Sequence, residues 1–129
     1  MTKNGIRLLL LIQGVSFIAA AMVHFGILAG GFEHQKAGTA ETVIGLVLLG
    51  GFVLSLVRPP WTRIAALSVQ TFALLGTLVG LFTIAIGVGP RTIPDLIYHA
   101  CILTLLIAGL VLTARSRKAQ DNVSESAGP

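Results

Sequence analysis

The chain has 129 residues, of which 54% are hydrophobic and 11% charged, with a formal net charge of +4 and a mean hydropathy of +0.89. Soluble domains carry roughly 25% charged residues, so this composition indicates a membrane protein and excludes an ordinary soluble domain. The single Cys101 excludes an internal disulfide, a zinc ribbon and a paired-thiol redox site.

Four apolar segments are each long enough to cross a bilayer, which takes about 20 residues of helix. In chain order they cover residues 8–31, 39–57, 64–88 and 93–114. Because hydrocarbon offers the backbone no hydrogen-bond partner, and because the segments lack the alternation of barrel strands, all four are predicted to be helices. The predicted fold class is all-α, an integral membrane four-helix bundle.

The first segment resembles a secretory signal, because Lys3 and Arg7 precede its apolar run. The run is longer than the core of a signal peptide, which has about 7–15 residues, so we expect the helix to be retained. Residues 1–114 are therefore predicted to form one transmembrane domain. Residues 115–129 are predicted to form a cytoplasmic tail that is first basic and then disordered.

The basic residues predict the orientation, because cytoplasmic connections carry an excess of lysine and arginine. Seven of them lie before the first helix, between the second and third, or after the fourth: Lys3, Arg7, Arg58, Arg63, Arg115, Arg117 and Lys118. Only Lys36 and Arg91 lie in the other two connections. The helices are therefore predicted to run up-down-up-down in a cytoplasmic (inner) membrane with both termini inside. Attraction to anionic lipid accounts for the positive charge, and no nucleic-acid partner is expected.

A polar cluster is predicted near the extracytoplasmic ends of the helices. At 1.5 Å per residue, His24 lies roughly 24 Å from Leu8, and His99 lies roughly 9 Å into the fourth helix, so the two imidazoles come to similar depth. Asp95 precedes His99 by one helical turn. The candidate ligand and polar cluster comprises His24, Glu33, His34, Glu41, Asp95, Tyr98 and His99.

Most members of this cluster also have a purely structural interpretation. Thr92 and Asp95 match a capping box at the start of the fourth helix. Glu41 is favoured by the positive end of the second helix, and Tyr98 suits the headgroup layer. His24 should face the bundle and find a partner, for which Asp95 and Tyr98 are the candidates.

Two further patterns concern helix packing. Gln13 and Gln70 are predicted to lie at matching depth in an inner polar layer, with Ser16 and Thr71 nearby. Two glycine pairs with a spacing of four residues predict close helix contacts. These pairs are Gly26 with Gly30 on the first helix and Gly76 with Gly80 on the third.

The sequence leaves more than one function open. It contains no phosphate loop, HExxH motif, nucleophile elbow or CxxC motif, so an enzyme is the weaker hypothesis. We favour a structural or accessory subunit, or a self-associating bundle, whose partners are the lipid bilayer, a second copy or another membrane protein. The alternative is a metal- or haem-binding module in which His24 and His99 hold a divalent metal or haem iron. A small-molecule or ion pathway ranks third, because no charge lies at mid-membrane.

Overall fold

The computed structural model describes the backbone of residues 1–126 and 128, and the side-chain environment of residues 1–116 and 128. This part of the chain contains four α-helices and no strand. The helices are α1 (Lys3–His24), α2 (Gln35–Val57), α3 (Thr62–Ala85) and α4 (Ile93–Ser126), with a 3-10 turn, Pro59–Trp61, before α3. Each is long and apolar enough to cross a membrane, in α4 over Ile93–Ser116. The predicted all-helical class and the number of helices are confirmed.

The first helix ends earlier than predicted, at His24 instead of Gly31. Gly26 has a φ of 72°, in the left-handed region. Its N–H donates to the carbonyl of Val23, and the Ile27 N–H donates to that of Met22, both at 2.9 Å. These two bonds form a Schellman motif, which ends a helix by satisfying its last carbonyls. The prediction that Gly26 and Gly30 share a face of the first helix is therefore wrong, because both follow its end.

The third helix ends in the same way, at Ala85 instead of Val88. Gly87 has a φ of 84°. The Val88 N–H donates to the Thr83 carbonyl at 2.9 Å, and the Gly87 N–H donates to the Ile84 carbonyl at 3.1 Å. A glycine in the left-handed conformation thus ends each of the two helices that lead into the α1–α2 and α3–α4 connections.

Side chains also cap the helix starts. The Thr2 hydroxyl accepts the Gly5 N–H at 3.1 Å, and Nδ1 of His34 accepts the Ala37 N–H at 3.1 Å. The cap at His34 lets α2 begin at Gln35, before the predicted start at Thr39. These bonds satisfy backbone donors that have no partner inside the helix.

The interior of the helical assembly is apolar over most of its length. α1 packs against α2, α2 against α3 and α3 against α4, while α1 also contacts α3 and α4. The buried apolar core consists of Ile6, Leu10, Phe17, Ile44, Leu48, Ala66, Ala73, Ile102 and Leu106. Between 22% and 33% of each candidate span is buried, so most of each helix faces outward with apolar side chains. Such an apolar exterior suits contact with lipid.

The fourth helix continues to Ser126, beyond the predicted end of the transmembrane domain at Ala114. The predicted disorder of the tail concerns residues 119–129. Their side chains lie outside the described residues, apart from Gly128, so this stays a prediction.

Candidate functional site

Four polar side chains from three helices meet at the end of the molecule that carries the α1–α2 and α3–α4 connections. We call His24, Glu41, Asp95 and His99 the loop-end cluster. Nδ1 of His24 lies 2.6 Å from Oε2 of Glu41 on α2, and Nε2 lies 2.9 Å from Oδ1 of Asp95 on α4. All four residues are buried, with His24 only 3% exposed. The imidazole of α1 therefore links α1 to both α2 and α4.

The hydrogen bonds of His24 determine the charge of this group. A neutral imidazole has one N–H, and a protonated one has two. Because an oxygen of Glu41 or Asp95 faces each ring nitrogen, either the ring is an imidazolium between two carboxylates, or one carboxyl group is protonated beside a neutral ring. In both cases the three side chains together carry one negative charge.

Asp95 makes three different contacts. Its Oδ1 faces His24, and its Oδ2 accepts bonds from the Thr92 N–H, at 3.1 Å, and from the Thr92 hydroxyl. The Asp95 N–H in turn donates to the Thr92 hydroxyl at 3.3 Å, which completes a capping box. The Asp95 backbone carbonyl accepts a bond from Nδ1 of His99 at 2.7 Å. Asp95 thus caps α4 and orients His99, and it is a partner that His24 and His99 share.

The bond from His99 to a carbonyl determines where the proton of this imidazole lies. A carbonyl only accepts, so Nδ1 carries the proton and the neutral ring has a lone pair on Nε2. Nε2 has no hydrogen-bond partner among residues 1–116. It lies beside Gly80 of α3, where a Cβ atom would stand 3.4 Å from it.

Tyr98 is half-buried and packs against aromatic neighbours, while its position in the headgroup layer stays a prediction. Its half-buried ring meets Phe17 edge-on at 6.1 Å between centroids and His99 at 5.7 Å. Its hydroxyl is buried and has no partner within the described residues.

The other two residues of the predicted cluster remain in the α1–α2 connection. Glu33 is exposed and accepts the Gly31 N–H at 2.9 Å. His34 caps α2, and its Nε2 lies 3.2 Å from the Val88 carbonyl, which joins the two connections. The His34 and His24 ring centroids are 6.4 Å apart. Both of these side chains are therefore bound to backbone groups instead of to the loop-end cluster.

Two cavities adjoin the loop-end cluster. One of about 180 Å³ lies among α2, α3 and α4, and its wall includes Glu41, Thr77, Gly80 and His99. Another of about 370 Å³ lies between α1 and α4, and its polar lining consists of Ser16, His24, Asp95 and Tyr98.

The inner polar layer is built around the two buried glutamines. Nε2 of Gln13 donates to Oε1 of Gln70 and to the Leu105 carbonyl, both at 3.2 Å. Nε2 of Gln70 lies 3.3 Å from the Thr113 hydroxyl. The pair fits because Gly109 of α4 has no side chain, since a Cβ atom there would overlap both amides. Side chains of α1, α3 and α4 are thus joined in one network.

The two hydroxyl residues predicted beside this layer lie differently. Ser16 is half-buried and lines the cavity between α1 and α4, whereas Thr71 is exposed on the outer face of α3. Thr71 is therefore not part of the inner layer.

The region between the loop-end cluster and the inner polar layer is apolar apart from Thr77. The Thr77 hydroxyl donates to the Ala73 carbonyl of its own helix at 2.8 Å. Phe17, Leu48 and Ala73 are among the apolar residues buried here. The described side chains do not form a continuous row of polar groups through the molecule. This arrangement does not favour an ion pathway.

The sequence reasoning missed a third set of polar contacts at the opposite end. Nη2 of Arg7 donates to the Ser55 carbonyl at 2.6 Å, and the Thr62 hydroxyl lies 3.3 Å from the same oxygen. Nη2 of Arg63 donates to the Ala114 carbonyl at 3.1 Å. Both arginines lie near the start of a helix, so a basic residue in that position was the available sequence signal.

The residues fit the predicted metal or haem site poorly. Both ring nitrogens of His24 already face carboxylates, so an axial bond would require breaking one of these contacts. His99 offers one free lone pair. Among the described residues, no group of three or more His, Cys, Asp or Glu side chains could hold a metal ion.

Comparison with known proteins finds no matching family, no matching curated protein and no matching solved structure. The fold and the loop-end cluster describe a small protein with four helices able to cross a membrane, joined by buried polar side chains.

Proposed function

We propose that this protein is a non-catalytic structural or accessory component of a cytoplasmic membrane, a multi-pass bundle that associates with itself or with another membrane protein. The observation that carries the proposal is the position of His24, whose two ring nitrogens contact carboxylates from two other helices. An imidazole that transfers protons to a substrate or binds a metal needs a free nitrogen. His24 instead supplies interhelical contacts.

The inner polar layer supports the same function. Gln13 and Gln70 are fully buried, and they bond to each other, to backbone carbonyls and to Thr113. Interhelical hydrogen bonds of this kind hold membrane helices together where the hydrophobic effect does not. In this proposal the loop-end cluster and the inner polar layer therefore both link helices to one another.

The proposed topology is up-down-up-down with both termini in the cytoplasm. Two contacts support it: Arg7 at the start of α1 reaches the end of α2, and Arg63 at the start of α3 reaches a carbonyl of α4. These contacts are consistent with Arg7 and Arg63 lying at the same end, away from Lys36 and Arg91.

A double-mutant cycle on His24 and Asp95 tests the structural role. His24→Ala should lower the free energy of unfolding by about 3–5 kcal/mol, because it leaves two carboxylates buried without their partner. Asp95→Asn can still cap α4 but loses the charged contact. The double mutant should deviate from additivity by roughly 0.5–3 kcal/mol, because the second change acts on a contact already lost. Unfolding of the full chain in mixed detergent, followed by circular dichroism, measures these values.

The control for this cycle is Thr104→Val, an exposed residue whose hydroxyl bonds only within α4. It should leave stability nearly unchanged. Absorption spectra and elemental analysis of the same samples distinguish the alternative function. A Soret band or stoichiometric metal in the wild type, lost in His24→Ala, would overturn the structural proposal in favour of a metal or haem module.

A further inference from the structure

The cavity among α2, α3 and α4 is large enough for a small molecule and can be reached from outside. Its volume of about 180 Å³ far exceeds the roughly 10–15 Å³ that one water molecule needs. Lys36, Ala40 and Val79 of its wall are exposed, so the cavity opens between α2 and α3. His99, which is 9% exposed, closes its inner side.

Apart from Lys36 and His34 at the cavity wall, the polar side chains that line it offer hydrogen-bond acceptors. Nδ1 of His99 already donates to the Asp95 carbonyl, which leaves the lone pair of Nε2. The hydroxyls of Thr77 and Thr83 already donate to carbonyls of their own helix. Oε1 of Glu41 is buried and has no partner within the described residues. A ligand that donates hydrogen bonds would therefore complement this wall.

The charge of the site selects the kind of donor. Glu41 belongs to the group with His24 and Asp95 that carries one negative charge, whether the proton resides on the ring or on a carboxyl group. Lys36 and His34 also line the cavity. Lys36 is exposed, and Nε2 of His34 faces the Val88 carbonyl, so neither neutralises Glu41 through an ion pair in the described chain.

We propose that this cavity binds a small organic cation of the primary ammonium class. Nε2 of His99 accepts one N–H of the ammonium group. In the occupied site the proton shared with His24 and Asp95 lies on one of those two residues, so that the ionised Glu41 carboxylate supplies the opposite charge. The apolar part of the ligand packs against the hydrophobic wall, which includes Phe17, Ile44 and Ile84. This site lies outside the interhelical role proposed above and would add ligand binding to it.

Gly80 gives the ligand access to His99. A Cβ atom at this position would stand 3.4 Å from Nε2, in the space that the ammonium group needs. Gly80→Ala is therefore a small change that blocks the acceptor without touching the bonds of His24. Gly50→Ala is the matched control, because it is an equivalent change in α2 with no atom within 4 Å of the new Cβ.

The test is calorimetric titration of the full-length protein in detergent with n-butylammonium chloride, and in parallel with n-butanol, which has the same chain but no charge. We expect saturable, roughly millimolar binding of n-butylammonium. The affinity should fall about tenfold or more in Gly80→Ala and stay unchanged in Gly50→Ala, because a charge-assisted hydrogen bond is lost only in the former.

Three results would overturn the proposal. They are no saturable binding of n-butylammonium to the wild type, equal binding of n-butanol, or equal affinity of the wild type and Gly80→Ala. Glu41→Gln adds an independent measurement where it folds, because it keeps the shape of the side chain and removes its charge. A Glu41→Gln protein that folds and binds n-butylammonium as the wild type does would also contradict the site.

Discussion

His24 separates two carboxylates as well as binding both. Glu41 and Asp95 come from different helices and are buried at 5% and 7% exposure, where an unpaired charge is costly. The ring between them gives each carboxylate a partner, and the Thr92 backbone and hydroxyl give Asp95 a second one. A buried cluster of polar side chains is stable only while every side chain is present, because replacing one of them leaves another without its hydrogen bond.

The inner layer depends on a missing side chain as much as on the side chains present. Gly109 is buried where the amides of Gln13 and Gln70 meet, and an added Cβ would lie 2.8 Å from Nε2 of Gln13 and closer still to Oε1 of Gln70. Both glutamines are also held by other bonds, Gln13 to Leu105 and Gln70 to Ala66, so neither amide can move freely.

We predict that Gly109→Ala lowers the free energy of unfolding by about 1–3 kcal/mol, because overpacking forces the buried amides apart. Gly50→Ala should leave stability unchanged or raise it, because the new methyl meets nothing within 4 Å and alanine favours helix. Detergent unfolding curves of the two variants make the comparison. Equal stability of both would show that the glutamine pair does not need the space at Gly109.

Hydropathy predicts that a membrane helix exists better than it predicts where the helix ends. The segment after α1 remains apolar through Ile27 and Leu28, so composition alone extends the first helix to Gly31. The helix ends where Gly26 adopts a left-handed φ. In the sequence, however, Gly26 and Gly30 have the spacing of a helix-packing pair, so Gly26 could not be recognised as a helix end. The starts and ends of the helices therefore could not be derived from apolar length.

Two glycines in the third helix and one just after its end have three separate uses. Gly76 lies against Ile44 of α2, where an added Cβ would be 2.7 Å from its Cδ1, and Gly80 lies against His99 of α4. The pair predicted to share one packing face thus contacts two neighbouring helices. Gly87, farther along, has no such packing role, because an added Cβ would come no closer than 3.7 Å to another side chain.

The end of α3 therefore allows a backbone effect to be measured alone. Gly87→Ala should cost about 1–2 kcal/mol, because an L-residue is strained in the left-handed conformation that the Schellman motif requires. Gly30→Ala, in the other connection, should cost little. The φ of Gly30 is not positive, and the added Cβ would come no closer than 3.8 Å to another side chain. Thermal unfolding in detergent compares the two, and a larger loss in Gly30→Ala would contradict this account of the helix end.

The depth estimate from sequence places His24, Asp95 and His99 at one end of the molecule, and the structure brings these three residues together. The sequence did not identify Glu41 as a partner of His24, because a carboxylate near the start of a helix is already explained by the positive end of the helix dipole. The direction in which a side chain points also depends on helix rotation. For that reason the pattern could not show that Asp95 reaches His99 through its backbone carbonyl and His24 through its carboxylate.

The distribution of charge along the whole molecule leads to the prediction about its orientation. Arg7 and Arg63 bind carbonyls at the end opposite the loop-end cluster, where Arg58 and Trp61 also lie in the α2–α3 connection. Among the lysine and arginine side chains that the structure describes, the cluster end has only Lys36 and Arg91. Since basic connections are retained in the cytoplasm, we expect the cluster to face outward.

Cysteine labelling of intact cells tests this orientation. Cys101 is a free, exposed cysteine, so Cys101→Ser is the necessary background. In that background Lys36→Cys should react with a membrane-impermeant thiol reagent in intact cells, whereas Ser126→Cys should react only after the membrane is permeabilised. The opposite pattern would mean that the molecule is inverted. The cavity proposed to bind an ammonium ion opens near Lys36, so labelling of this position also shows from which side of the membrane the ligand would enter.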